Sequence, residues 1–80
     1  MAVDLHTHST YSDGSETPAE LIATAKRARL EAIALTDHDN LDGIPEAMEA
    51  AAHHDIELIP GVELSCEWDR GGFHIVVLWL

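Results

Sequence analysis

Residues 32–43 read AIALTDHDNLDG, a short apolar run that breaks abruptly into acids, a histidine, an asparagine and a glycine. Ala32–Thr36 reads as a strand, and DHDNLDG as the polar turn that closes it. Immediately upstream, Thr17-Pro18-Ala19-Glu20 has the form of a capping box with proline at the first helical position. A helix is therefore expected from Pro18 to about Leu30, burying Leu21, Ala25 and Ala28. Further upstream, Val3–Thr7 alternates apolar Val3 and Leu5 with polar Asp4 and His6, the period of a strand. The loop STYSDGSET (9–17) joins that strand to the helix. Downstream, a second helix is expected over 44–53, burying Ile44, Ala47, Met48, Ala51 and Ala52 at helical spacing. Ile56–Ile59 makes a third strand. The order strand, helix, strand, helix, strand predicts an α/β fold with parallel strands and right-handed crossovers.

Beyond Gly61 the pattern changes. WDRGG (68–72) is too short for a helical crossover, so the last strand is expected to return antiparallel. Its residues, HIVVLWL (74–80), are apolar at successive positions and read as a strand buried on both faces. An apolar strand ending at Leu80 without a polar tail leads us to expect the front part, residues 1–80, of a longer domain.

Composition bounds the function. Fifteen acids against four bases give a formal charge of −11, which repels nucleic-acid backbones and excludes binding through a basic patch. Bound divalent metals would reverse that sign locally. Cys66 is alone, so no internal disulfide forms, and a cytoplasmic location is the expectation. No apolar run is long enough to span a membrane, and Asp4 and His6 interrupt any signal-peptide pattern.

The chemistry concentrates at strand ends. Residues i and i+2 of a strand face the same way, so His6 and His8 can share one metal ion. In parallel α/β folds ligands bind beyond the carboxyl ends of the strands. His6, His8, Asp13, His38 and Glu63 all fall at or just past such ends, and His74 begins the last strand. Four histidines and two carboxylates suit Zn²⁺, Mn²⁺ or Fe²⁺, and six donors exceed one tetrahedral site. Glu63 is the candidate bridge between ions. Clustered ions lower the pKa of bound water and clamp phosphate oxygens, which makes a metal-bridging hydroxide the candidate nucleophile.

Other residues carry open readings. Asp4 is expected on the face of His6, orienting a ligand or standing as a buried structural acid. Asp37 and Asp39 flank His38 and are expected to cap the following turn or to sit near a metal, capping being the favoured reading. His53 and His54 fall at a helix C-terminus, where they suit the dipole. Trp79 is expected to pack, whereas Trp68 is a loop aromatic that could stack a base. Arg70 is the cation nearest the expected mouth, within reach of a substrate phosphate or solvated on its turn.

DLHTHSTYSDGSETPAELIATA (4–25), AIALTDHDNLDGIPEA (32–47) and IPGVELS (59–65), followed by HIVVLWL, resemble the first motifs of the PHP (polymerase and histidinol phosphatase) family. They are most similar to its small stand-alone phosphoesterases. The resemblance implies the N-terminal portion of a distorted (β/α)7 barrel, βαβαβ followed by a further strand, holding two or three divalent ions. It implies that His6, His8 and Glu63 bind one ion, Glu63 and His74 a second, and Asp13 with His38 a third. The expected partners are a nucleotide or a short RNA or DNA end, and the missing C-terminal part of the same barrel, which supplies a later histidine and a D-x-H motif. The expected activity is hydrolysis of phosphate esters of nucleotide-type substrates by the parent protein. The alternatives are a non-catalytic metal-binding or scaffold module and an inactive fragment. Where the family usually has glycine at the helix-to-strand turns, this chain has Arg29 and Asp55.

Overall fold

The computed structural model describes residues 2–68 and 71–80; the side chains of Glu67 and Trp68 lie outside the description, as does the whole of Arg70. The elements follow the order β1 (Val3–Thr7), α1 (Pro18–Arg27), β2 (Ala32–Leu35), α2 (Ile44–His54), β3 (Glu57–Trp68) and β4 (Gly71–Leu78). They form one four-stranded sheet in the order β1-β2-β3-β4, with the first three strands parallel and β4 antiparallel to β3. None of the described helices is long and apolar enough to cross a membrane.

The Thr17 hydroxyl accepts the Glu20 N–H at 3.1 Å, and the Glu20 carboxylate accepts the Thr17 N–H at 2.9 Å. That reciprocal pair starts α1. The helix stops at Arg27, short of the expected Leu30, because Arg29 turns left-handed (φ 62°) and the Leu30 N–H reaches back to the Ala25 carbonyl at 3.0 Å. Asp55 (φ 54°) ends α2 in the same way. Both stand in the conformation that glycine adopts most cheaply.

One face of the sheet carries both helices. Ile33 and Leu35 of β2 meet Ile22 and Ala25 of α1, Ala47 and Ala51 of α2, and Ile56. Ala32, Ala34 and Ile59 point to the opposite face, where Leu78 packs on them. Three expected burials fail. Pro18, Ile22 and Ala25 define the seam of α1, which turns Ala28 outward. Helix α2 touches the core along Ala47 and Ala51, so their neighbours Met48 and Ala52 are exposed.

Strand β3 changes partner midway. Glu57–Pro60 pair with β2, and from Gly61 to Trp68 the strand pairs with β4. Gly61 sits at the switch, where a Cβ would stand 2.7 Å from the Val77 carbonyl oxygen and 3.0 Å from Thr36 Cγ2. The antiparallel return matches expectation, but burial of the last strand on both faces does not. Residues 71–76 are exposed, as is Trp79, because β4 is an edge strand that neither helix covers.

The pairing of β1 with β2 slips. Asp4 aligns with Ile33 and Thr7 with Leu35, so three steps on β1 match two on β2. This one-residue bulge puts both Asp4 and Thr7 on the helix side, with Ile33 and Leu35. His6 and His8, flanking Thr7, point to the other side. Asp4 is therefore exposed on the face opposite the His6 imidazole, neither sharing its face nor buried, and its carboxylate accepts the His6 main-chain N–H at 3.2 Å.

Candidate metal centre

The six donors gather at the carboxyl end of the parallel strands: His6 from β1, His8 and Asp13 from the loop after it, His38 from the turn after β2, Glu63 from β3 and His74 from β4. The Thr7 hydroxyl donates to the Ala34 carbonyl at 2.5 Å, and the Thr36 N–H donates to the Thr7 carbonyl at 2.8 Å. These bonds fix the residue between the two histidines against β2. A single bridge beyond the end of β2 pairs His38 with Glu63: the Asp39 N–H donates to the Glu63 carbonyl, and the Glu63 N–H to the Asp37 carbonyl, both at 3.0 Å. Ser65 pairs with His74 across the ribbon, which places His74 on the same face as Glu63. The loop after β1 folds back so closely that a Cβ on Gly14 would stand 2.3 Å from the His8 carbonyl oxygen. Only glycine fits there, and its neighbour Asp13 is thereby carried up to the histidines.

Glu63 forms the floor of the cluster, its side chain 8% exposed. His6 Nε2 and His8 Nε2 lie 2.5 and 2.8 Å from its Oε1. His74 Nδ1 and His38 Nδ1 lie 2.6 and 3.6 Å from its Oε2. Asp13 closes the ring from outside, with its two oxygens 2.9 Å from His8 Nδ1 and 3.0 Å from His38 Nε2. His6, Asp13 and His74 stand more than half exposed, so the cluster opens to solvent on their side. The hydrogen bond from His6 holds the Glu63 carboxyl down to about pKa 2 despite the opposing effect of burial. His8, His74 and the charge of His38 act in the same direction.

This arrangement calls for positive charge. A neutral imidazole has one N–H and one lone pair. His8 and His38 each turn both nitrogens towards carboxylate oxygens, so either ring, while neutral, sets one lone pair against another. A proton or a cation between nitrogen and oxygen removes that clash. Two donors bound to one ion at about 2.1 Å stand about 3.0–3.4 Å apart, close to the separations found here. The donors form three overlapping groups, His6–His8–Glu63, His8–Asp13–His38 and His38–Glu63–His74. The residues present fit divalent ions in number, type and spacing.

All six donors expected from sequence thus come together, while the other candidates part company. His53 and His54 lie in the last turn of α2, at the far end of the strands. Asp37 and Asp39 do not cap α2, whose N-cap is Gly43 without a side-chain bond. Asp37 instead accepts hydrogen bonds from Ser9 and Ser12, and Asp39 accepts the Ser65 N–H at 2.8 Å, which lowers its pKa. Arg70 and the side chain of Trp68 lie outside the described residues. Sequence reasoning missed Asn40, whose amide donates to the Tyr11 and His38 carbonyls and ties the two loops together. An asparagine inside a turn is too common for its spacing to have marked it.

The fold and cluster define an α/β protein with a histidine–carboxylate centre at the carboxyl end of its sheet. More narrowly, the chain belongs to the PHP domain family, which it matches over residues 4–79. It is 51% identical over 75 residues to a 5'-3' exoribonuclease of Haemophilus influenzae, covering 94% of this chain and 27% of that protein. It is 47% identical over 76 residues to a 3',5'-nucleoside bisphosphate phosphatase of Chromobacterium violaceum, covering 95% and 27%. The structure superposes with a TM-score of 0.91 on a Bifidobacterium adolescentis protein provisionally described as a metal-dependent phosphoesterase. That pair is 32% identical, covering 96% of this chain and 27% of the other. The chain therefore spans about a quarter of the length of the curated relatives it matches, and its architecture is that of the opening portion of a PHP barrel.

Proposed function

We propose that these residues form the metal-binding end of a phosphoesterase that hydrolyses phosphate esters of nucleotide-type substrates, either a mononucleotide or the end of a short RNA or DNA. The observation that carries this reading is the convergence of His6, His8, Asp13, His38, Glu63 and His74 on one open face. The two relatives named as an exoribonuclease and a nucleoside bisphosphate phosphatase support the substrate class. Divalent ions held by these six residues, Mn²⁺, Zn²⁺ or Fe²⁺, would supply charge for phosphate oxygens and a lowered pKa for water. Glu63 holds the centre together, since its two oxygens face all four imidazoles. The exposed His6, Asp13 and His74 line the side from which a phosphate approaches. With a chain charge of −11, that approach is repulsive until cations are bound. Cys66 is a free thiol, in keeping with the reducing cytoplasm.

The activity belongs to a protein that continues the barrel, and the 80 residues alone are expected to turn over little substrate. Elemental analysis should find more than one divalent ion per chain, and fewer in His6→Ala. The full-length protein with Mn²⁺ should release phosphate or mononucleotides, and Glu63→Gln should abolish that release. Unchanged ion content in His6→Ala, or full turnover by Glu63→Gln, would sink the reading.

A further inference from the structure

Asp37 is 2% exposed and stands outside the six donors. Its carboxylate is nevertheless fully engaged. Oδ1 accepts the Ser9 N–H at 2.6 Å and the Ser12 hydroxyl at 2.8 Å, while Oδ2 accepts the Ser9 hydroxyl at 2.7 Å. Ser9 is completely buried and organises the loop that follows it. Its carbonyl accepts the N–H groups of Ser12 at 3.1 Å and Gly14 at 2.9 Å, and its hydroxyl accepts that of Tyr11 at 3.2 Å. The loop from 9 to 14 is thus wound around Ser9, and Ser9 hangs on Asp37. On its main-chain side, the Asp37 carbonyl accepts the Glu63 N–H at 3.0 Å.

Three donor-bearing segments meet at this one residue: the loop between His8 and Asp13, the residue preceding His38, and the stretch of β3 that carries Glu63. We propose that Asp37 is a positioning residue that sets the distance between the His8–Asp13 pair and the His38–Glu63 pair. This rests on the metal reading above. A carboxylate suits the task because it only accepts, and three donors converge on it with nothing to receive a proton in return. Removing it leaves the buried Ser9 N–H and the Ser9 hydroxyl proton without an acceptor. The loop would then shift Asp13 relative to His38. The contact between His6 and Glu63 does not pass through the loop and would persist. Loss of Asp37 should therefore weaken the His8–Asp13–His38 group and spare the His6–His8–Glu63 group.

The test is Mn²⁺ titration of the wild-type protein against Asp37→Ala and Asp37→Asn, with the fold checked by circular dichroism. Asp37→Ala should bind one ion fewer per chain. Asp37→Asn retains an oxygen that accepts, and should keep that ion with affinity lowered about tenfold. A folded Asp37→Ala that binds the same number of ions with unchanged affinities overturns the proposal. If Asp37→Ala does not fold, Ser12→Ala decides: it removes one bond from the half-buried edge of the loop, and unchanged affinity for every ion there is equally fatal. Amide hydrogen exchange on the metal-free protein separates this proposal from the metal reading. In Asp37→Asn the Ser12 and Gly14 amides should exchange about tenfold faster, a change in local opening free energy of the kind that exchange reads directly. A wild-type protein that takes up no Mn²⁺ defeats the metal reading, and exchange then judges Asp37 alone: unchanged rates defeat it too.

Discussion

Among the described residues, Glu63 gathers more of the chemistry than any other side chain. It is nearly buried, it faces four imidazoles, and its pKa falls from 4.5 to about 2, chiefly through the hydrogen bond from His6. A carboxyl whose folded pKa is depressed adds stability that is fully present above its unfolded value near 4.5 and is lost as pH falls through about 2. In the metal-free protein, a carbon-13 carboxyl titration should therefore find Glu63 still ionised at pH 3. A midpoint near 4.5 would show that the histidines do not hold it. That these six residues would converge was legible in the sequence because histidines and acids at strand ends carry their chemistry openly. Asp37 was not, because an aspartate beside a histidine of the cluster looks the same whether it caps a turn or suspends a loop. Only the burial of Ser9 decides between them, and burial depends on the packed fold.

At the scale of elements, the helix boundaries offer changes of opposite sign. Thr17→Ala breaks the capping box of α1 and should cost about 1 kcal/mol in chemical denaturation. Arg29→Gly relieves a left-handed residue and should add about 1 kcal/mol. Melting curves that move together, or neither way, would contradict the assigned caps. Local signals made these elements readable: Thr-Pro-Ala-Glu at a start, apolar spacing along a face, and short polar turns. The bulge in β1 left no such mark. Five residues alternate equally well with or without a slipped register, and the slip is set by β2, which lies about thirty residues away in sequence. Strict alternation therefore puts Asp4 on the face of His6, and the bulge puts it on the other. The faces of the helices were misjudged for a related reason, since Ala28, Met48 and Ala52 match a helical period but lie off the narrow seams that touch the sheet.

The whole molecule has two parts of different character. The strands and helices up to Pro60 enclose a core, while the β3–β4 ribbon extends away from it, giving a longest dimension of 44 Å. Leu64, Phe73 and Ile75 lie on one uncovered face of that ribbon. Exposed apolar edge strands favour association. The 80-residue chain should accordingly form oligomers at micromolar concentration, and Ile75→Lys should reduce them in light-scattering measurements. A monodisperse monomer would contradict this. Burial of that strand could not be read from HIVVLWL, because an apolar run records what a strand can bury and not whether a neighbour is there to cover it. The switch of partners at Gly61 has a mechanical consequence. Four of the donors are mounted on the core part, His74 is mounted on the ribbon, and Glu63 lies two residues past the junction. The cluster therefore straddles a fold line. A cation seated there would act as a clasp, latching the free arm of the molecule to its body.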